Sequence, residues 1–293
     1  MTTVDAAPLE SAGRRRRLVL TASPAAWLTY GAMAAFLIFL AGVVLTVVVD
    51  SVGTRWFGTW LPSGFTLRWY SEAWDSFNLS QVMEVTGEVA IAVVAVSLLL
   101  GVPAAYALAR RDFPGKRLIM LLFLLPIVVP PITYGIPLAT TLYKYHLAGT
   151  LIGVIVANVV PSVPFVVLIM TPFIEQVDPR LEAAARMCGA GTTAVFTRVL
   201  GPLVVPGMLA AGILVLVRTV GMFELTFLTA GPTSQTLVVA LYYSVFSAGI
   251  SPQQSVDAMA VIYTGSMLVM VLLALRFVDP TQLVSRVREE SGR

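Results

Sequence analysis

Charge is what this sequence has least of: only 12% of its 293 residues are Asp, Glu, Lys or Arg, whereas 57% are hydrophobic. Soluble domains carry about twice that charged fraction. A water-soluble fold cannot cover so much apolar surface, so the lipid bilayer is the expected solvent. The single cysteine excludes a disulfide framework, and the single histidine excludes a histidine-rich metal site. The net charge of +3 lies in short loops and tails, whereas a nucleic-acid-binding protein would concentrate it on one soluble face. The composition predicts a membrane protein that binds lipid and no nucleic acid.

Six stretches of about 20 apolar residues predict six transmembrane helices. They lie at about residues 26–49, 83–108, 118–143, 150–174, 203–229 and 257–276. The first follows Arg14–Arg17, but its apolar stretch is too long for a signal peptide, so we expect a retained span. The expected fold is an all-α membrane protein. One six-helix domain, residues 26–276, lies between a basic N-terminal tail, 1–25, and a C-terminal tail, 277–293.

The lysines and arginines set the orientation of the spans, because positive charge accumulates on the cytoplasmic side. With the N-terminus inside, fifteen of the 19 fall on inner segments and one, Arg218, lies within span five. The remaining three, Arg55, Arg68 and Lys144, fall on outer segments. Both termini are therefore predicted to be cytoplasmic, and so is the segment between spans four and five.

The outer segment at about residues 50–82 is rich in aromatic side chains with polar edges, namely Trp56, Trp60, Trp69, Tyr70 and Trp74. Such rings favour the level of the lipid headgroups. The pattern predicts an interfacial segment, with a surface that docks a partner as the alternative.

The inner segment at about 178–202 carries helix signals of its own. Asp178 before Pro179 is typical of a helix start. The run RLEAAARM then favours a helix, which Gly189 and Gly191 should end because glycine adopts turn conformations readily. A second short helix, about Thr192–Leu200, is expected to lead into span five. A plain connecting loop would need only a few polar turn residues, so the sequence predicts a compact helical projection.

This projection has the features of a docking surface. Glu182 is expected to be an exposed anion that pairs with a basic side chain of a partner, and Ala183 and Ala184 allow close approach.

The same residues resemble the permease subunits of ATP-binding-cassette (ABC) importers of the binding-protein-dependent type. The resemblance lies in an E-A-A motif, a following glycine, a phenylalanine and a proline-rich entry to the next span, here Glu182, Ala183, Ala184, Gly189, Phe196 and Pro202. It extends to Phe65–Trp74, Ala107–Arg117 and Leu124–Leu138. Cys188 and Gly201 depart from the usual pattern.

The resemblance implies that this chain does no chemistry and holds no cofactor. Residues 178–202 would be the coupling helix, seated on a separate dimer of ABC ATPases that binds ATP and magnesium. The sequence itself has no G-x-x-x-x-G-K-[ST] loop. A second permease subunit, identical or a paralogue, and an extracytoplasmic substrate-binding protein are the other implied partners, at the plasma membrane of a prokaryote.

Two features point to a translocation path. Four prolines, Pro126, Pro130, Pro131 and Pro137, are expected to break span three, and broken backbone within a membrane is tolerated where it is buried or lines a cavity. Span five carries Arg218 and Glu224, and charges at that depth usually face the interior and pair. Either they line the path with Tyr134 and Asn158, or Glu224 lies at the outer interface and Arg218 bonds a neighbouring span.

The resemblance is nearest to polyamine-type and iron-type permeases, which favours a polyamine as substrate. Arg218 would repel such a cation, so a neutral sugar or polyol stays open. A secondary transporter would need coupling-ion carboxylates in several spans, and an intramembrane enzyme would need a nucleophile and base. The sequence offers neither set.

Overall fold

The computed structural model describes residues 24–56, 59, 62–246 and 252–276. Within these ranges the chain is helical, apart from connecting loops and one isolated β-bridge between Gly53 and Phe65. The α-helices are α1 Pro24–Val52, α2 Arg68–Ser76, α3 Leu79–Arg110, α4 Lys116–Val128, α5 Pro131–Lys144, α6 Leu151–Glu175, α7 Pro179–Met187, α8 Thr192–Ala194, α9 Gly201–Val220, α10 Phe223–Thr229, α11 Leu237–Phe246 and α12 Gln253–Arg276. The predicted all-α class is confirmed. Both predicted terminal tails lie almost wholly outside the described residues.

Five of the described helical segments are long and apolar enough to cross a membrane, and the α4–α5 pair makes a sixth if its halves form one span. The two halves meet at an angle of 96°. The break falls at Pro130 and Pro131, while Pro126 and Pro137 lie inside the two helices. Proline removes a backbone donor and clashes with the preceding turn, so the predicted break in span three has the expected cause.

The chain divides into two compact units, Met1–Thr46 and Val47–Arg293. In the first unit the described side chains of α1 are exposed from Trp27 onward. Large apolar groups such as Phe36 and Ile38 are among them. A helix that is apolar all round is the form expected of a span in lipid.

The second unit is built around α3 and α6, which form its most extensive helix–helix contact, with α9 packed against both. Valines supply much of the core: Val89 and Val93 from α3, Val166 and Val167 from α6, and Val215 from α9. In a bilayer every backbone donor must be satisfied within the segment, which long continuous helices achieve. This bundle positions the groups described below.

Two predicted elements differ from the structure. Span five is not one helix, because α9 ends at Val220 and α10 begins at Phe223. The expected short helix at Thr192–Leu200 is continuous with α9: α8 runs into a π-helical turn, Val195–Leu200, and then into the span.

The aromatic segment before α3 also differs from the prediction of an interfacial anchor. Trp69 is buried, and its indole Nε1 donates to the Gly53 carbonyl at 2.7 Å. The Tyr70 hydroxyl bonds Ser51 Oγ at 2.9 Å. These two rings pack inside the protein, because α2 folds against α12. Trp74 is exposed, as an interfacial ring would be, and Trp60 lies outside the described residues.

Candidate functional site: the α7 segment and the charged groups of the bundle

The α7 segment begins as the sequence predicts. The Asp178 carboxylate accepts from the Arg180 amide at 2.9 Å, and Pro179 occupies the first helical turn. The helix ends at Met187, and Gly189 has φ +84°, in the left-handed region where a side chain would be strained. The predicted helix start and glycine turn are confirmed.

Glu182 is not the exposed anion that the sequence suggested. It is only 6% exposed. Its Oε1 accepts from Arg110 Nε at 2.7 Å, and its Oε2 accepts from the Tyr106 hydroxyl at 2.7 Å. Both partners lie at the end of α3. A carboxylate with two short charge-assisted bonds is strongly held, so it is not available to a partner protein in this structure.

Residues at the end of α3 also contact the chain just before and just after α7. Arg110 uses a second guanidinium nitrogen to donate to the Val177 carbonyl, just before α7, at 2.7 Å. The Tyr106 ring packs edge-on against Phe196, in the π-helical turn after α7, with ring centroids 5.6 Å apart. Sequence reasoning missed Arg110 and Tyr106 because both are more than 70 residues from Glu182.

The opposite face of α7 is exposed and apolar. Leu181 and Met187 are 47% and 89% exposed. Ala184 lies between them on the same face, and Ala183 beside it is also exposed. Pro202 is exposed at the start of α9. The surface that α7 presents is therefore short, and its apolar side chains lie next to the exposed Arg180 and Arg186.

Asn158 is buried, 2% exposed, within the bundle. Its Nδ2 donates to the Val154 carbonyl at 2.9 Å and to Thr226 Oγ1 at 3.2 Å. The side chain therefore ties α6 to α10 and is satisfied by the protein.

Arg218 bonds a neighbouring span, which was one of the two expectations for it. Its guanidinium donates to the Pro161 carbonyl of α6 at 3.1 Å and lies 5.4 Å from the Phe165 ring centroid. Because the chain breaks between α9 and α10, Arg218 and Glu224 do not share one regular helix. The buried hydroxyl of Tyr134 on α5 has no hydrogen-bond partner among the described residues.

Glu224 is half-buried at the start of α10, and within the described chain it forms neither a hydrogen bond nor an ion pair. Beside it is an aromatic cluster that sequence reasoning missed. Phe223 and Phe227 of α10 pack on Tyr242 of α11, with ring centroids 4.8 and 5.2 Å away. Phe246 follows one turn after Tyr242 at 4.4 Å. The signal was available as aromatic pairs spaced by four residues in two short segments, which share a helix face.

No group of three or more His, Cys, Asp or Glu residues that could hold a metal ion is found in the described ranges.

Residues 97–283 match the family model of the binding-protein-dependent transport system inner membrane component. The chain belongs to this family. The permease is 31% identical over 247 residues to a probable molybdenum ABC transporter permease of Haloferax volcanii, covering 81% of this chain and 86% of that protein. It is 30% identical over 221 residues to the trehalose permease SugB of Mycobacterium tuberculosis, covering 75% and 81%. It is 27% identical over 260 residues to the spermidine/putrescine permease PotC of Escherichia coli K12, covering 87% and 93%.

Solved structures share the fold of the permease. A chain of a bacterial ABC transporter involved in alginate import superposes with a TM-score of 0.69 at 16% identity, covering 88% of the permease and 99% of that chain. A chain of an inward-facing form of the MetNI methionine transporter gives 0.53 at 19% identity, covering 68% and 93%. The protein is thus a transmembrane permease subunit of an ABC importer and resides in the inner membrane.

Proposed function

We propose that this permease forms one half of a translocation path for a small polar solute, driven by ATPases on separate chains. A second permease subunit, here taken as a paralogue, supplies the other half. A dimer of ABC ATPases binds ATP and magnesium, and an extracytoplasmic binding protein delivers the solute. Both termini and α7 would face the cytoplasm of a prokaryote.

The observation that carries the coupling proposal is the exposed apolar face of α7. Leu181, Ala184 and Met187 are exposed apolar side chains on a short helix between two spans, with the exposed Arg180 on the same face. Exposed apolar surfaces of this kind favour protein–protein contact. We place the ATPase contact on this face, with Ala183 beside it, whereas Glu182, Gly189, Phe196 and Pro202 shape the segment that presents it.

For the substrate we favour a small organic cation of the polyamine type. Glu224 is a half-buried carboxylate without a partner among the described residues, and carboxylates at membrane depth are usually functional because they are costly. Phe227 and Tyr242 of the nearby aromatic cluster pack edge to face, and aromatic rings attract cations at their faces. Arg218 is turned toward the Pro161 carbonyl and the Phe165 ring, which lessens the repulsion that its charge would exert.

A neutral sugar or polyol is the second candidate. The same rings can stack on the apolar face of a sugar, and the Tyr134 hydroxyl and Glu224 could bond its hydroxyl groups. SugB, whose name gives trehalose as its substrate, is as similar to the permease as the other relatives are.

The test is the complete importer in proteoliposomes, with ATPase activity and uptake measured for spermidine, trehalose and molybdate. We expect stimulation by spermidine, and the exchange Glu224→Gln should reduce its uptake about tenfold or more, because a charged hydrogen-bond partner is lost. Asp75→Asn, the equivalent exchange at an exposed site on α2 outside the predicted spans, is the control. Stimulation by trehalose alone would establish the sugar alternative, and molybdate alone would contradict both. Uptake driven by an ion gradient without ATP would indicate a secondary transporter.

A further inference from the structure

The geometry points to Arg110 and Tyr106 as positioning residues that fix the α7 segment to α3, so that movement of α7 is delivered directly to α3. This inference rests on the proposed coupling of α7 to an ATPase. It assigns Glu182 to a tie within the chain.

The tie consists of the contacts that Arg110 and Tyr106 make with Glu182 and the Val177 carbonyl, and it is compact and shielded from water. Its three polar contacts are each 2.7 Å long, and the side chains of Arg110 and Glu182 are 12% and 8% exposed. Removing one member of a buried ion pair leaves the other charge unpaired, which is far more costly than losing an exposed pair. The contact should therefore persist while α7 moves.

Contacts with α3 lie both before and after α7 in the chain. Arg110 donates to the Val177 carbonyl, two residues before α7. The Tyr106 ring packs on Phe196, in the π-helical turn after α7. A helix held at its middle and on both flanks cannot rotate freely against α3. A displacement of α7 in either direction would therefore be transmitted to α3.

At its other end, α3 meets the element that carries the aromatic cluster. Thr86 Oγ1 accepts from the Leu237 amide, the first residue of α11, at 2.9 Å. Thr86 and Tyr106 are 20 residues apart on one helix, or about 30 Å, which matches the thickness of the hydrocarbon layer. α3 is one continuous helix, with Pro103 inside it, and would connect α7 to α11 across the membrane.

The first experiment uses charge reversal in the complete importer. Arg110→Glu and Glu182→Arg are made singly and together. The control is a second ion pair, reversed in the same way: Asp112, which is fully exposed just after α3, and Lys116 at the start of α4, 3.3 Å apart. Two quantities are measured per assembled complex: the solute uptake per ATP hydrolysed, and the ratio of ATPase activity with loaded binding protein to that without it.

We expect each single reversal to lower the uptake coupled to hydrolysis more than about tenfold, because a buried charge loses its partner. The double reversal should recover much of it, and the control pair should change little. A lower yield of complex with an unchanged ratio in the surviving fraction would overturn the inference, since the tie would then serve folding alone. If the unmodified importer shows no stimulation by any solute, the proposed function fails first.

A crosslink replaces the contact between Tyr106 and Phe196 with a covalent bond. Tyr106→Cys and Phe196→Cys, in a Cys188→Ser background, are joined by a short bifunctional thiol reagent. Removal of the two rings should lower uptake, and crosslinking should raise it again, because α3 and the α7 segment move together. Loss of uptake that returns when the linker is cleaved would show that they separate during the cycle, and would overturn the proposal.

Discussion

Gly101 of α3 packs tightly against α6, and adding one methyl group there tests whether these two helices form a fixed unit. A Cβ at this position would be 2.6 Å from Val166 Cγ1, 2.8 Å from Val166 Cβ and 3.3 Å from the Val163 carbonyl oxygen. Carbon atoms in favourable contact are about 3.5–4.0 Å apart, so the helices must separate by about 1 Å. Overpacking of this kind costs about 1–3 kcal/mol.

The matched control is Gly87→Ala on the same helix, where an added Cβ has no atom within 4 Å. Both exchanges gain about 1 kcal/mol of helix propensity, which cancels in the comparison. We expect Gly101→Ala to unfold about 1–3 kcal/mol more easily than Gly87→Ala, measured by denaturant titration in detergent. Equal stability of the two variants would refute the close approach of α3 to α6.

Three further outcomes are expected. Trp69→Phe removes the indole bond to a main-chain carbonyl and should destabilise the protein by about 1–3 kcal/mol, whereas Trp74→Phe at an exposed site should change it by less than about 0.5 kcal/mol; equal effects would contradict the burial of Trp69. Arg218→Leu loses its bond to α6 and should cost about 1.5–3 kcal/mol while uptake per assembled complex stays unchanged; reduced uptake with normal assembly would place Arg218 in the path. A Met187→Cys variant in the Cys188→Ser background, produced without the ATPase subunits, should react with a membrane-impermeant maleimide only in inside-out vesicles, and labelling from the outer side would refute the cytoplasmic placement of α7.

The spans could be predicted from sequence because hydropathy and length depend on local composition. The break of span three was also local, since Pro130 and Pro131 exclude a continuous helix whatever surrounds them. The start of α7 is also determined locally. Asp178 accepts a hydrogen bond from a backbone amide of the first turn, and Pro179 occupies the first helical position.

What the sequence did not yield depends on contacts between distant segments. Nothing near Glu182 indicates that its partner is Arg110, and an acidic residue on a predicted surface helix is ordinarily exposed. Trp69 likewise looked interfacial until α2 was seen to pack on α12. α11 has only ten residues, too few for a span, so hydropathy alone gave no reason to expect a helix there.

Glu182 and Glu224 show how burial and pairing distinguish a residue that positions a helix from one that recognises a solute. Glu182 lies in the more polar surroundings, yet it is the more buried, and its two short bonds fix it to α3. Glu224 follows Phe223, a member of the aromatic cluster, and it forms no hydrogen bond or ion pair within the described chain. Breaking a buried ion pair such as that of Glu182 has a high free-energy cost, so this contact should stay formed throughout the transport cycle. A charge left unpaired is stabilised by whatever cation arrives, and the cost of burying it alone becomes part of the affinity for that cation. The difference predicts that exchanging Glu182 affects every solute alike, whereas exchanging Glu224 changes which solutes are carried.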